Sequence, residues 1–117
     1  MRFGCKSRGI LLVLAFAAVQ QLQAQTLGDD EWQQLQNYCT DCHNLDDFSG
    51  GFAFDLLSPD TLHEEAEIWE KIIRKLRGGM MPPPGQPRPD KNSVLALTGS
   101  LEQTLDLLAQ DNPAVSA

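Results

Sequence analysis

The chain has 117 residues, with 16 Asp and Glu against nine Lys and Arg and a formal net charge of −7. Its length bounds it to one small domain, and its acidity argues against nucleic acid or an anionic lipid surface as a partner, because both attract basic patches. All 16 acids but only six of the nine bases lie beyond residue 24, so a chain trimmed there would carry −10 and would suit a partner with a basic face.

Residues 1–24 have the layout of a secretory signal peptide. A basic start (Arg2, Lys6, Arg8) precedes an apolar run from Ile10 to Val19, and Ala24 stands before Gln25-Thr26. The run of ten residues is about half of the ~20 needed to cross a bilayer. Cleavage is therefore expected, after Ala24 or alternatively after Ala17 or Ala18, leaving residues 25–117 as a periplasmic or secreted domain with no membrane span. Trimming removes Cys5 and leaves Cys39 and Cys42 as the only cysteines. In an oxidising compartment that pair forms either a tight disulfide or the attachment points of a prosthetic group.

A first helix is expected from about Asp29 to His43. Asp29, Asp30 and Glu31 suit a helix N-terminus, and Trp32, Leu35, Cys39 and Cys42 recur at helical spacing as a buried stripe. Its end, Cys39-Thr40-Asp41-Cys42-His43, is the C-x-x-C-H signature of covalent haem c attachment. On a helix the two thiols share a face and reach the two vinyl groups of one porphyrin edge, while His43 projects from the same side to bind iron. A thioredoxin-like redox pair would need a βαβ context that is missing here. A structural zinc site needs four ligands, and beyond these three the chain offers only His63 and the remote Cys5.

Residues 44–58 read as an extended loop or short strand. Ser49-Gly50-Gly51 supplies a turn, and Phe52, Phe54 and Leu56 alternate with Ala53 and Asp55. The aromatics are candidates to wall the haem or to pack the core. A second helix is expected from Pro59-Asp60 or Glu64 to Arg77, with Ile68, Trp69, Ile72, Ile73 and Leu76 as its apolar face and Gly78-Gly79 as its stop. Glu64, Glu65, Glu67 and Glu70 come early and Lys71, Arg74, Lys75 and Arg77 late, the order that the helix dipole favours. The basic cluster reads first as a solvated helix end, with a haem propionate contact or a docking patch as the functional alternatives. His63, at the helix start, is expected to face solvent.

Next in the chain is Met80-Met81-Pro82-Pro83-Pro84-Gly85. A haem iron held by one His needs a sixth ligand to shuttle electrons without binding other molecules, and a Met thioether supplies one while raising the potential. Prolines stiffen this strap and turn the residue before them away from helix, which favours Met81. Met80, lacking the adjacent proline, is the weaker candidate. A last helix is expected from about Asp90 to Ala109 on a stripe of Val94, Leu95, Leu97, Leu101, Leu105 and Leu108, with Gly99 available for close approach to the first helix. Residues 110–117 read as a frayed tail.

Four features together resemble the planctomycete-type cytochrome c domain, a branch of the class I cytochromes c. They are Tyr38-Cys39-x-x-Cys42-His43, the helix Trp69 to Arg77, Gly79-Met80-Met81-Pro82-Pro83 and Pro87-Arg88-Pro89, and the resemblance spans roughly residues 35–108. It implies an all-α fold of three to four helices around one haem, with crossing terminal helices. Cys39 and Cys42 would be the covalent attachments, His43 the proximal ligand and Met81 the distal ligand. The expected function is single-electron transfer between redox partner proteins by an exported monohaem cytochrome that is not itself an enzyme. The alternatives are a haem sensor with a labile sixth ligand and the electron-accepting subunit of a dehydrogenase complex.

Overall fold

Three α-helices and three 3₁₀ turns, with no strand, make up residues 27–111, the part of the chain that this computed structural model describes. Residues 1–26, with the expected signal peptide and Cys5, and residues 112–117 lie outside the described residues. The fold is all-α, as the resemblance implies. Helix α1 (Asp29–Cys39), α2 (Ala66–Arg77) and α3 (Lys91–Asp111) are separated by a long loop with three 3₁₀ turns and by the proline strap.

Helix α1 starts on three acidic residues, whose charge suits the positive end of the helix dipole. It stops at Cys39, four residues short of the expected end. The hydroxyl of Thr40 donates to the Gln36 carbonyl at 2.7 Å, competing there with Thr40 N at 3.4 Å, and Asn44 then caps the carbonyls of Thr40 and Asp41 through its amide at 2.8 and 3.2 Å. Such local side-chain bonds compete with helix continuation. Past the helix end the chain makes a turn in which the Cys39 carbonyl accepts from both Cys42 N and His43 N, at 3.3 and 2.9 Å.

The 44–58 segment is a loop and contains no strand. Ala53 and Phe54 are both buried while Leu56 is 64% exposed, so the alternation seen in sequence is broken by a 3₁₀ turn at Phe54–Leu56. Another 3₁₀ turn, Leu62–Glu65, leads into α2. Trp69 on α2 is fully buried at the centre of the core and meets Trp32 of α1 and Phe54 of the loop, each with ring centroids 6.2 Å away. Pairs at this distance and tilt add to simple area burial.

Helix α3 packs chiefly on α2. The crossing of terminal helices implied by the resemblance is thus not the main helix contact here, although Leu35 of α1 and Leu97 of α3 share the core. A Cβ on Gly99 would meet nothing within 4 Å, so this glycine mediates no close approach. The buried stripe of α3 also departs from its sequence reading. Leu95 is 48% exposed, and Thr98 and Thr104 are buried with Leu97 and Leu101. Both threonines satisfy their hydroxyls within the helix, on Val94 O at 2.8 Å and Ser100 O at 2.9 Å, which removes the cost of burying them. Arg77 of α2 donates through Nε and Nη2 to the two oxygens of Glu102 on α3.

Asp90 caps α3, accepting from Asn92 N and Ser93 N at 2.9 and 3.1 Å and from the Ser93 hydroxyl. The Ser93 hydroxyl first, and these amides with it, hold the Asp90 carboxyl below the usual range. A depressed carboxyl stabilises fully above its unfolded value, about 3.9, and loses that contribution as pH falls through the lower folded value. The protection of the Asn92 and Ser93 amides, their exchange rates divided by the intrinsic rate at each pH, should therefore hold above about pH 4 and fall below it, and Asp90→Asn should abolish that pH dependence. Urea denaturation checks the revised stripe: Leu101→Ala, at a fully buried position, should cost about 2–5 kcal/mol, and Leu95→Ala no more than about 0.5 kcal/mol.

Candidate functional site

The C-terminal end of α1, the loop after it and the strap after α2 enclose two adjoining cavities. The larger, about 320 Å³, is lined among others by Leu35, Cys39, Cys42, His43, Met81 and Leu97. The smaller, about 220 Å³, has Phe52, Phe54, Ile72, Lys71 and Lys75 on its wall. Cys39, His43, Gly50, Leu76 and Met81 border both. The structure thus brings all four sequence-predicted site residues, Cys39, Cys42, His43 and Met81, to one place.

Cys39 and Cys42 are free thiols of different character. Cys39 is half-buried and Cys42 exposed, which corrects the expectation of a stripe buried through both. Burial first, and the neighbouring Cys42 second, push the Cys39 thiol up to about 11, so it stays neutral at physiological pH.

His43 is oriented by contacts that its own motif does not reveal. Its Nδ1 lies 2.6 Å from the Ser49 carbonyl oxygen. That oxygen can only accept, so Nδ1 carries the proton and Nε2 is left as the electron-pair donor. A hydrogen bond of this kind fixes the tautomer and ring plane of a metal-binding imidazole. Phe52 stacks on the ring at 4.3 Å and 19°, and Phe52 in turn meets Phe54 edge-on at 5.5 Å, which ties the imidazole to the core. The Phe54 N–H donates to the His43 carbonyl at 2.8 Å.

The loop that offers Ser49 is built around Asn44. Its side-chain oxygen accepts from Asp46 N and Asp47 N at 3.0 and 2.9 Å, and the Asp55 carboxylate accepts from Leu45 N at 3.0 Å. Gly50, at φ +70°, turns the chain, and a Cβ there would stand 3.3 Å from His43 Cε1. The roles of Ser49, Asn44 and Phe52 in holding the histidine are not assigned by the sequence; the signal available for them is the Ser-Gly-Gly turn six residues beyond it.

Gly79 decides how the methionines are presented. At φ +64° it closes α2 with Gly79 N donating to Leu76 O at 3.0 Å and Met80 N to Lys75 O at 2.9 Å, the bonding pattern of a Schellman cap. Met80 is the residue that folds back over the helix end. Its Sδ lies 3.8 Å from Lys75 Nζ, and its side chain is on the surface, 51% exposed. Met81 instead packs against the core and borders both cavities. Arg88 fastens the strap from the other side, Nη2 donating to Gly79 O at 2.8 Å and Met81 O at 3.3 Å. His63 lies away from these cavities, half-exposed, in a groove with Glu70 and Asp106.

These residues fit haem c. Two thiols, an imidazole with its tautomer fixed and a thioether border largely apolar walls. Gln34 Nε2, on the larger cavity's wall, is buried with no partner among the described residues; a buried donor left so is costly and suits an acceptor such as a propionate. Among the described residues no group of three or more His, Cys, Asp or Glu gathers to hold a metal ion, as a structural zinc site would require. No helix among them is long and apolar enough to cross a membrane.

Residues 39–85 match the family model described as Planctomycete cytochrome C. No curated protein and no solved structure matches the chain.

The two turn glycines separate backbone strain from crowding of the histidine. Gly51→Ala, at φ +82° with open space around its Cβ position, should cost about 1 kcal/mol for the left-handed backbone alone. Gly50→Ala should cost more in the same urea titration and should also shift the imidazole nitrogen resonances of His43 as the ring is pushed off Ser49.

Proposed function

From the premise that the chain carries a planctomycete-type cytochrome c domain, matched over residues 39–85, we propose an exported monohaem cytochrome that passes single electrons between redox partner proteins. A c-type cytochrome domain implies covalently bound haem c and electron transfer, the work of a carrier and not of an enzyme.

Cys39 and Cys42 would hold haem c by thioethers, His43 through Nε2 and Met81 through sulfur. When bound, haem c supplies a ferric–ferrous couple at the centre of the site. The chain's own residues account for the rest. Ser49 and Phe52 hold the imidazole in one plane and one tautomer. Met81, with its thioether, favours a raised potential, and the fastened strap keeps it in place between oxidation states. The apolar walls exclude water. Gln34 Nε2 offers a donor to a propionate, and the single C-x-x-C-H in the sequence supports one haem.

The observation that carries the proposal is the His43 Nδ1 to Ser49 O bond of 2.6 Å, because it leaves Nε2 as a prepared ligand beside two thiols. A sensor with a labile sixth ligand is less well supported, since the strap is fixed at Lys75 O and by Arg88. Export rests on the signal layout of residues 1–24.

Haem staining after denaturing electrophoresis, on protein from a haem-maturing host, should be positive; unstained protein sinks the proposal. In the oxidised spectrum, Met81→Ala should abolish the weak red charge-transfer band of a Met-to-iron bond and let the ferrous form bind carbon monoxide, whereas Met80→Ala should change neither. The opposite result would move the sixth ligand to Met80.

A further inference from the structure

Charge is divided along this chain more sharply than its total suggests. From Gln25 to Glu70 there are twelve Asp and Glu and no Lys or Arg, whereas from Lys71 onward there are six bases and four acids. Three of those bases already face carboxylates: Lys71 with Glu67 at 2.9 Å, Arg74 with Glu70 at 3.2 Å and Arg77 with Glu102. Only Glu67 and Glu70 of the twelve acids are met in this way, and the acids of the loop, Asp41, Asp46, Asp47 and Asp55, face no Lys or Arg among the described residues. Within that half, the loop after the haem motif also exposes large apolar side chains: Leu45 is 59% exposed, Phe48 46% and Leu56 64%. The bond from Leu45 N to the Asp55 carboxylate brings the two ends of the loop together, with Leu56 next in the chain after Asp55.

We propose that the outer side of the 41–56 loop, centred on Leu45 and Phe48 and flanked by Asp46, Asp47 and Asp55, docks a redox protein with a lysine- or arginine-rich face. This rests on the electron-transfer reading above and names the partner's chemistry. The same loop lines the larger cavity on its inner side with Asp41, Cys42, His43, Ser49 and Gly50. A partner seated outside is then separated from the site by little more than the loop itself, and electron tunnelling falls steeply with distance. The two components have separate roles: carboxylates steer a cationic partner and raise the on-rate, while exposed apolar groups supply the contact that water is expelled from. A small patch suffices, since electron-transfer encounters lie at the low end of interface sizes. The loop is fastened through Asn44, so little ordering entropy is lost on docking. Anionic surfaces, nucleic acid among them, are repelled here.

The test is a titration of the ¹⁵N-labelled, haem-loaded protein with a lysine-rich c-type cytochrome of net positive charge, followed by amide shifts. Low ionic strength should give saturable shifts at residues 45–49 and 55–56, fading at about 0.5 M salt as screening shortens the field. Asp46→Lys, whose side chain takes no part in holding the loop, should weaken binding about tenfold. Phe48→Asn should weaken it at least severalfold while keeping the fold, because Phe48 sits at φ +46° and Asn tolerates that region. Neither substitution should alter the absorption spectrum. Shifts at the Lys71–Lys75 end of α2 or spread evenly over the surface, no saturable shift, or binding indifferent to Asp46→Lys would each overturn the docking face. A protein with no covalent haem spectrum would instead count against the electron-transfer reading, so the two failures are distinguishable.

Discussion

The hydrogen bond from His43 to the Ser49 carbonyl is the constraint around which the site is arranged. To bring Ser49 back beneath the imidazole within six residues, the chain must leave the helix at Cys39, fold tightly around Asn44 and reverse direction at Gly50 and Gly51. Each of these moves has a local cause: a Thr40 hydroxyl that competes for a helix carbonyl, an asparagine that serves as both donor and acceptor, and glycines at positive φ. Phe52 then comes out of the turn flat against the ring. An imidazole held from two sides in this way has one tautomer and little rotational freedom, and a metal site needs both.

The opposite wall is made by different means. There the determining event is the end of a helix, where Gly79 lets the chain enter the left-handed region and the Schellman bonds fold Met80 back over Lys75. Two adjacent methionines, chemically identical, are sorted by their position in the cap: one covers the helix end and the other continues inward. The prolines and Arg88 fasten what the cap has begun.

The helices are legible because their apolar residues recur at helical spacing, and the haem motif because its spacing is chemically specific. α2 and α3 begin and end within a few residues of where the pattern puts them. The misreadings arise where tertiary context overrides local pattern. Leu95 looks like a member of the α3 stripe, yet the helix is rotated so that Thr98 and Thr104 face the core. A threonine that bonds its hydroxyl back to its own helix is apolar in effect, and no hydropathy pattern shows that. Phe52 to Leu56 alternate like a strand, but with no second strand to pair with among the described residues, the backbone satisfies itself in a 3₁₀ turn. Ser49 contributes a carbonyl, which is a property of every residue and so leaves no mark in composition.

The two walls of the site come from separate elements, His43 from the end of α1 and Met81 from the end of α2. Nothing in the described loop or strap links them directly by a hydrogen bond. What sets the span between them is the seating of α1 on α2, where Trp32 and Trp69 meet at 6.2 Å and Phe54 wedges beside both. The aromatic core thus works as a calliper for the gap between His43 and Met81, and the fit of whatever fills that gap becomes a gauge of packing at Trp32 and Trp69, which border neither of the two cavities.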